Sequence, residues 1–100
     1  MIESIIPITA GKEDVFENLL TKNSLIINHV VVPPGKIFPA HMTESEVYII
    51  ITTGTLTVNL NNQPDQSYSQ DNMVSIPKGV MSGISNQGDV LTELFVVKHI

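Results

Sequence analysis

Residues 47–60 read VYIIITTGTLTVNL: an apolar run, a glycine, and then six residues that alternate strictly. In the second half Leu56, Val58 and Leu60 fall on one face of an extended chain and Thr55, Thr57 and Asn59 on the other, because successive strand side chains point to opposite sides. A strand divided in this way is half buried, with its apolar face on a core and its polar face toward solvent.

Outward from this stretch the same rhythm recurs. Leu25 to Val32, Val47 to Thr53, Thr55 to Leu60, Met73 to Ile76 and Val90 to Lys98 are short β-rich runs parted by Pro, Gly, Asn and Asp. Pro34-Gly35 supplies the fixed φ and then the positive φ of a type II turn, and Asn61 to Asp65 is a polar turn cluster. Strands joined by turns, with no helix between them, cannot form parallel crossover units. The sheet is therefore expected to be antiparallel and stacked as a sandwich or closed as a small barrel. A short helix or turn is expected ahead of the strands: within Glu13 to Leu20, Val15, Phe16, Leu19 and Leu20 stand at i, i+1, i+4 and i+5. The chain of 100 residues is read as one domain, 1–100, with the barrel at about 25–98.

Composition narrows the function. The hydrophobic fraction is 42%, charged residues are 15%, and the net charge is −5, the profile of a compact globular protein. All five basic residues are lysines, Lys12, Lys22, Lys36, Lys78 and Lys98, scattered singly. No nucleic-acid partner is expected. Without arginine the chain lacks the bidentate fork that phosphate and carboxylate sites commonly use, so neutral or weakly charged ligands fit better than polyanions. The lack of cysteine rules out disulfides and thiolate ligands. The apolar runs are far shorter than the roughly 20 residues of a membrane-spanning helix, so no membrane partner is expected. Glu3 and Pro7 interrupt what a signal peptide would need, which gives a cytoplasmic expectation.

Two segments concentrate residues that carry chemistry. In GKIFPAHMTESEVYIIITTG, residues 35–54, Gly35 is followed after five residues by His41, then Thr43, Glu46 and finally Gly54. In DNMVSIPKGVMSGISN, residues 71–86, Asp71 is followed by Pro77, Gly79, Ser82 and Asn86. Together they resemble the two motifs of the cupin superfamily: glycine, five residues, His-x-His, an acid and a closing glycine, then glycine, Pro, Gly, His and Asn. Gly35, His41, Gly54, Pro77, Gly79 and Asn86 match. Thr43 stands in place of the second histidine, Ser82 in place of the last one, and Asp71 in place of a glycine. Counting back from Gly54 places Val47 at the acid position. Aligning Glu46-Val47-Tyr48 with the family's acid, aliphatic and aromatic sequence instead places Glu46 there, and needs an extra residue, a bulge, before Gly54.

The resemblance implies an all-β double-stranded β-helix, the jelly-roll barrel of a small single-domain cupin. It implies a pocket between the sheets lined by His41, Thr43, Glu46, Tyr48, Ser82 and Asn86, and pairing as a homodimer. A typical cupin metal centre converges three histidines and a glutamate on a divalent ion. Here His41 and Glu46 are the remaining candidate ligands, with His29, in LIINHVVV, as a third that could rescue a divalent metal site; His99, near the chain end, has no identifying spacing. Hydroxyls at 43 and 82 are poor donors beside imidazole, so the expected cofactor is none and the expected partner a small neutral or polar ligand. Glu44 and Glu46 form an i, i+2 carboxylate pair suited to acid and base work or to a solvated rim. Met42, Met73 and Met81 would give an adaptable apolar lining. Two other functions remain open: a metal-dependent isomerase, oxygenase or lyase, and an interaction protein pairing through a barrel edge or the apolar, strand-like Met1 to Ile8, with its pocket packed shut.

Overall fold

The computed structural model describes residues 2–10 and 13–100. They contain nine strands and no helix: β1 (Val15–Lys22), β2 (Leu25–Val32), β3 (Ile37–Met42), β4 (Glu46–Thr53), β5 (Thr55–Leu60), β6 (Gln66–Ser69), β7 (Asn72–Ile76), β8 (Met81–Ser85) and β9 (Thr92–His99). They build a five-stranded sheet, β1-β2-β9-β4-β7, facing a four-stranded sheet, β3-β8-β5-β6. Every pairing is antiparallel. Apart from the β1-β2 and β5-β6 hairpins, neighbours in each sheet come from distant parts of the sequence, the winding that a double-stranded β-helix requires.

The expected helix or turn over Glu13 to Leu20 is strand β1. Its doublets Val15-Phe16 and Leu19-Leu20 imitate helical spacing, but pairing with β2 dictates an extended chain. Asn18 faces Asn28 and Leu20 faces Ile27, so Leu19 is the extra residue of a β-bulge. That bulge shifts the alternation by one and produces the second doublet. The apolar segment Met1 to Ile8 begins outside the described residues, and residues 2–8 form no strand.

Register assigns the faces of the large sheet. Across β2 and β9 the pairs Ile26/Lys98, Asn28/Val96, Val30/Leu94 and Val32/Thr92 point between the sheets. Val47, Ile49 and Ile51 of β4 join them opposite Lys98, Val96 and Leu94. The resulting core includes Val30, Ile51, Leu56, Ile76 and Leu94, each at most 1% exposed, and burial of each such side chain is worth about 1.5–3 kcal/mol. On the opposite, outer face lie Ile27, Tyr48, Ile50, Met73, Phe95 and Val97, with Ile50 and Met73 exposed.

Gly54, between β4 and β5, takes φ +81, and a Cβ there would stand 2.5 Å from the Leu91 carbonyl oxygen. Only glycine fits this corner.

Candidate functional site

Between the sheets the core gives way to a cavity of about 400 Å³, within the range of small-molecule sites. Val30, Ile49 and Val96 from the large sheet and Phe38 and Ile84 from the small one form its apolar wall. Its polar groups are Asn28, His41, Thr43, Glu44, Ser45, Ser82 and Lys98. Phe16 reaches the rim from β1, with its ring centroid 6.2 Å from that of Phe38.

Three of the six residues expected in the pocket line it. His41 of β3 lies directly across from Ser82 of β8, and Thr43 follows in the loop after β3. The Thr43 hydroxyl is engaged by the fold as both donor and acceptor: Oγ1 donates to the Pro77 carbonyl at 2.8 Å and accepts from the Val80 N–H at 2.9 Å. The Thr43 backbone binds the same turn, its N–H donating to the Val80 carbonyl and its carbonyl accepting from the Gly79 N–H. Four hydrogen bonds thus fasten the first motif to the second. Ser82, also buried, makes no side-chain hydrogen bond within the described residues, so its hydroxyl remains available to the cavity.

The other three lie elsewhere. Glu46 is exposed on the outer face, where it pairs in register with His99 of β9, and Tyr48 sits beside Val97 and Ser75 on that same face. A bulge does precede Gly54, since Ile51 faces Leu94 and Thr53 faces Glu93. It falls at Thr52, too late in the strand to turn Glu46 inward, and Val47 occupies the inward acid position. Asn86 is 1% exposed and serves the backbone: Nδ2 donates to the carbonyls of Val32 and Val90, and Oδ1 accepts from the Gly88 N–H. The carboxylate pair is also divided, with Glu44 at the cavity and Glu46 outside it. Of the three methionines only Met42 lines the cavity.

His29 points away from the cavity, on the outer face of β2. Its fully buried ring has Nδ1 3.0 Å from Glu17 Oε1 and Nε2 2.7 Å from Glu93 Oε2, and its centroid is 5.0 Å from that of Phe95. Both nitrogens are engaged, so neither offers a lone pair to a metal. Glu17 is in turn bound by Thr9, whose N–H donates to Oε1 and whose hydroxyl donates to Oε2. These bonds from Thr9, and then that from His29, hold the Glu17 carboxyl below its ordinary value.

The donor set does not fit a cupin metal centre. At the four ligand positions stand His41, Thr43, Val47 and Ser82: one imidazole, one hydroxyl committed to the backbone, one aliphatic side chain and one neutral hydroxyl. Among the described residues no group of three or more His, Asp or Glu is placed to hold an ion.

Two polar lining residues escape motif reasoning because they lie outside both motifs. Asn28 and Lys98 face the cavity from β2 and β9. The alternation Leu94, Val96, Lys98, Ile100 carries a signal for the second, since it places a lysine on an otherwise apolar face.

Comparison with known proteins agrees with the fold. A cupin domain family model matches residues 28–98, and the chain belongs to that family. It is 36% identical over 88 residues to an uncharacterised protein of Methanocaldococcus jannaschii, covering 88% of this chain and 76% of the relative. The crystal structure of that archaeal protein, described as an RmlC-like cupin family protein with a double-stranded β-helix fold, superposes with a TM-score of 0.93 at 35% identity, over 99% of this chain and 92% of that one. A cupin superfamily protein of Desulfitobacterium hafniense shares the fold, with a TM-score of 0.79 at 11% identity over 94% of this chain and 84% of that one.

Proposed function

We propose that this chain is a small-molecule-binding cupin that takes a neutral or polar, at most weakly charged, ligand between its sheets without a full metal site. The observation that carries the proposal is the cavity itself: about 400 Å³ of space remains open where the metal-ligand positions have become His41, Thr43, Val47 and Ser82. A wall that is mainly aliphatic, with a few hydroxyl, amide and charged groups, is the usual make-up of a small-molecule site. An interaction protein with a vestigial pocket would instead fill this space. A metal-dependent enzyme would need His41, Glu46 and His29 to converge, yet His41 faces the cavity while the other two lie on the outer face of the large sheet.

Pairing of two copies through the outer face is part of this proposal. Ile50 and Met73 leave apolar surface exposed there beside Tyr48, Phe95 and Val97, and a two-fold dimer brings one such patch onto its own copy.

Elemental analysis of untagged protein after exposure to manganese, iron, nickel or zinc tests the metal-free part, with His41→Ala as control. The expected result is far less than one equivalent of any metal, unchanged in the control. A stoichiometric metal lost in His41→Ala would refute it.

A further inference from the structure

One end of the cavity carries two hydrogen-bond donors that the fold leaves unused. Lys98 points inward from β9 among Ile26, Val47, Val96 and Ile100. It takes part in none of the three ion pairs and in no side-chain hydrogen bond among the described residues. Asn28 is 7% exposed and faces the same space, with Lys98 two residues along β9 from its register partner Val96. Diagonal neighbours of this kind lie within reach of long side chains.

The orientation of the Asn28 amide follows from its neighbours. Asn18 Nδ2 faces the Leu20 and Ile27 carbonyls and donates to Asn28 Oδ1 at 2.9 Å, while Asn18 Oδ1 accepts from the Thr21 hydroxyl. Asn18 must therefore present its nitrogen to Asn28, and Asn28 must present its oxygen in return. Among the described residues this leaves Asn28 Nδ2 with no protein acceptor, and since no unpaired side-chain nitrogen there is sealed from solvent, the atom of this cavity-lining residue is accessible. An accessible amide donor without a protein partner is free to bond water or a ligand.

We infer that the ligand is a small amphipathic monocarboxylate, its carboxylate held by the Lys98 ammonium and the Asn28 amide and its apolar body laid along Val30, Ile49, Ile84 and Val96. The inference rests on the ligand-binding reading above and adds the chemical class. One anionic group is what the lining accommodates. Lys98 is its sole lysine, no arginine is present, and Glu44 at the same cavity disfavours a second negative charge. The apolar wall beyond the two donors favours a hydrocarbon body over a sugar or a nucleotide.

Octanoate, octanol and octylamine serve as matched probes with the same body and different heads, each titrated into the full chain while backbone amide shifts are followed by NMR. Octanoate is expected to shift resonances of β2, β4 and β9, with octanol on the order of tenfold to a hundredfold weaker, the contribution of hydrogen bonds to a charged group, and octylamine weaker still. Lys98→Met, which keeps the stem and removes the charge, is expected to abolish the preference for octanoate over octanol, whereas Lys98→Arg retains it. Asn28→Leu should weaken octanoate with little effect on octanol, provided its circular dichroism is native. Equal binding of octanoate and octanol, or a preference for octanoate that survives in Lys98→Met, would overturn the carboxylate assignment while leaving a binding cavity. If none of the three probes shifts a cavity resonance, the binding reading falls as well.

Discussion

Thr43 offers a direct test of whether a motif position serves the ligand or the fold. In Thr43→Val the shape is kept and the hydroxyl lost, and with it the bonds to the Pro77 carbonyl and the Val80 N–H at 2.8 and 2.9 Å. Thr43 is 6% exposed, so water replaces those bonds poorly. Each hydrogen bond is worth about 0.5–1.5 kcal/mol net, and a buried group left unpaired adds about 1–3 kcal/mol, for an expected loss of roughly 2–4 kcal/mol. In a domain of this size such a loss lowers Tm by roughly 10–25 °C. Urea unfolding followed by far-UV circular dichroism gives the difference, and an unchanged m-value shows that the same surface is exposed on unfolding. Ser82→Ala is the internal contrast: its hydroxyl has no partner within the described residues, so the change is expected to fall within about 1 kcal/mol. Thr43→Ser keeps the hydroxyl and should retain most of the stability. If Thr43→Val lies within about 0.5 kcal/mol of wild type, the fastening role assigned to this side chain is wrong.

Three further outcomes follow from the same geometry. Asn86→Ala strips three hydrogen bonds from a site 1% exposed and orphans the buried Val32 carbonyl; a loss of about 2–4 kcal/mol is expected in the same urea assay, and a near-neutral result would contradict it. The Glu17 carboxyl, held below its ordinary value of 4.5 chiefly by Thr9, contributes stability that is present above that value and lost as pH falls through the lowered one. In Thr9→Val the carboxyl should move back up, so acid unfolding monitored by circular dichroism should begin at a higher pH than in wild type, and coincident acid transitions would remove Thr9 from the account. Light scattering of the purified chain is expected to give the mass of a dimer, and Ile50→Glu, which places a charge on the outer face, should give the monomer; a monomeric wild type refutes the pairing.

Strands were legible where their own side chains mark the pleat. Leu25–Val32 and Thr55–Leu60 are found where apolar runs and alternation place them. Strands β3, β6 and β8, with sequences IFPAHM, QSYS and MSGIS, were not, because polar, proline and glycine residues mask their period and pairing with neighbours holds them extended. Strand β1 was misread because its bulge at Leu19 breaks a period of two into one that looks helical. At the site, motif spacing found His41, Thr43 and Ser82, whereas the choice between Glu46 and Val47 depends on which face of β4 points inward. Only register with β7 and β9 settles that. Asn86 fits its motif yet works for the backbone, a distinction that spacing cannot express.

The four bonds around Thr43 make a second histidine costly to introduce at this position. Installing histidine there would forfeit the two side-chain bonds before any metal was gained, and the neighbouring positions would still hold valine and serine. Binding to the native state alone stabilises a protein in proportion to the logarithm of free ligand over Kd, so offsetting the roughly 2–4 kcal/mol lost would take free metal about thirty to a thousand times above its Kd. Adding a histidine ligand at position 43 therefore begins downhill in stability, and a designer seeking a three-histidine centre would do better to re-anchor the Pro77–Val80 turn first.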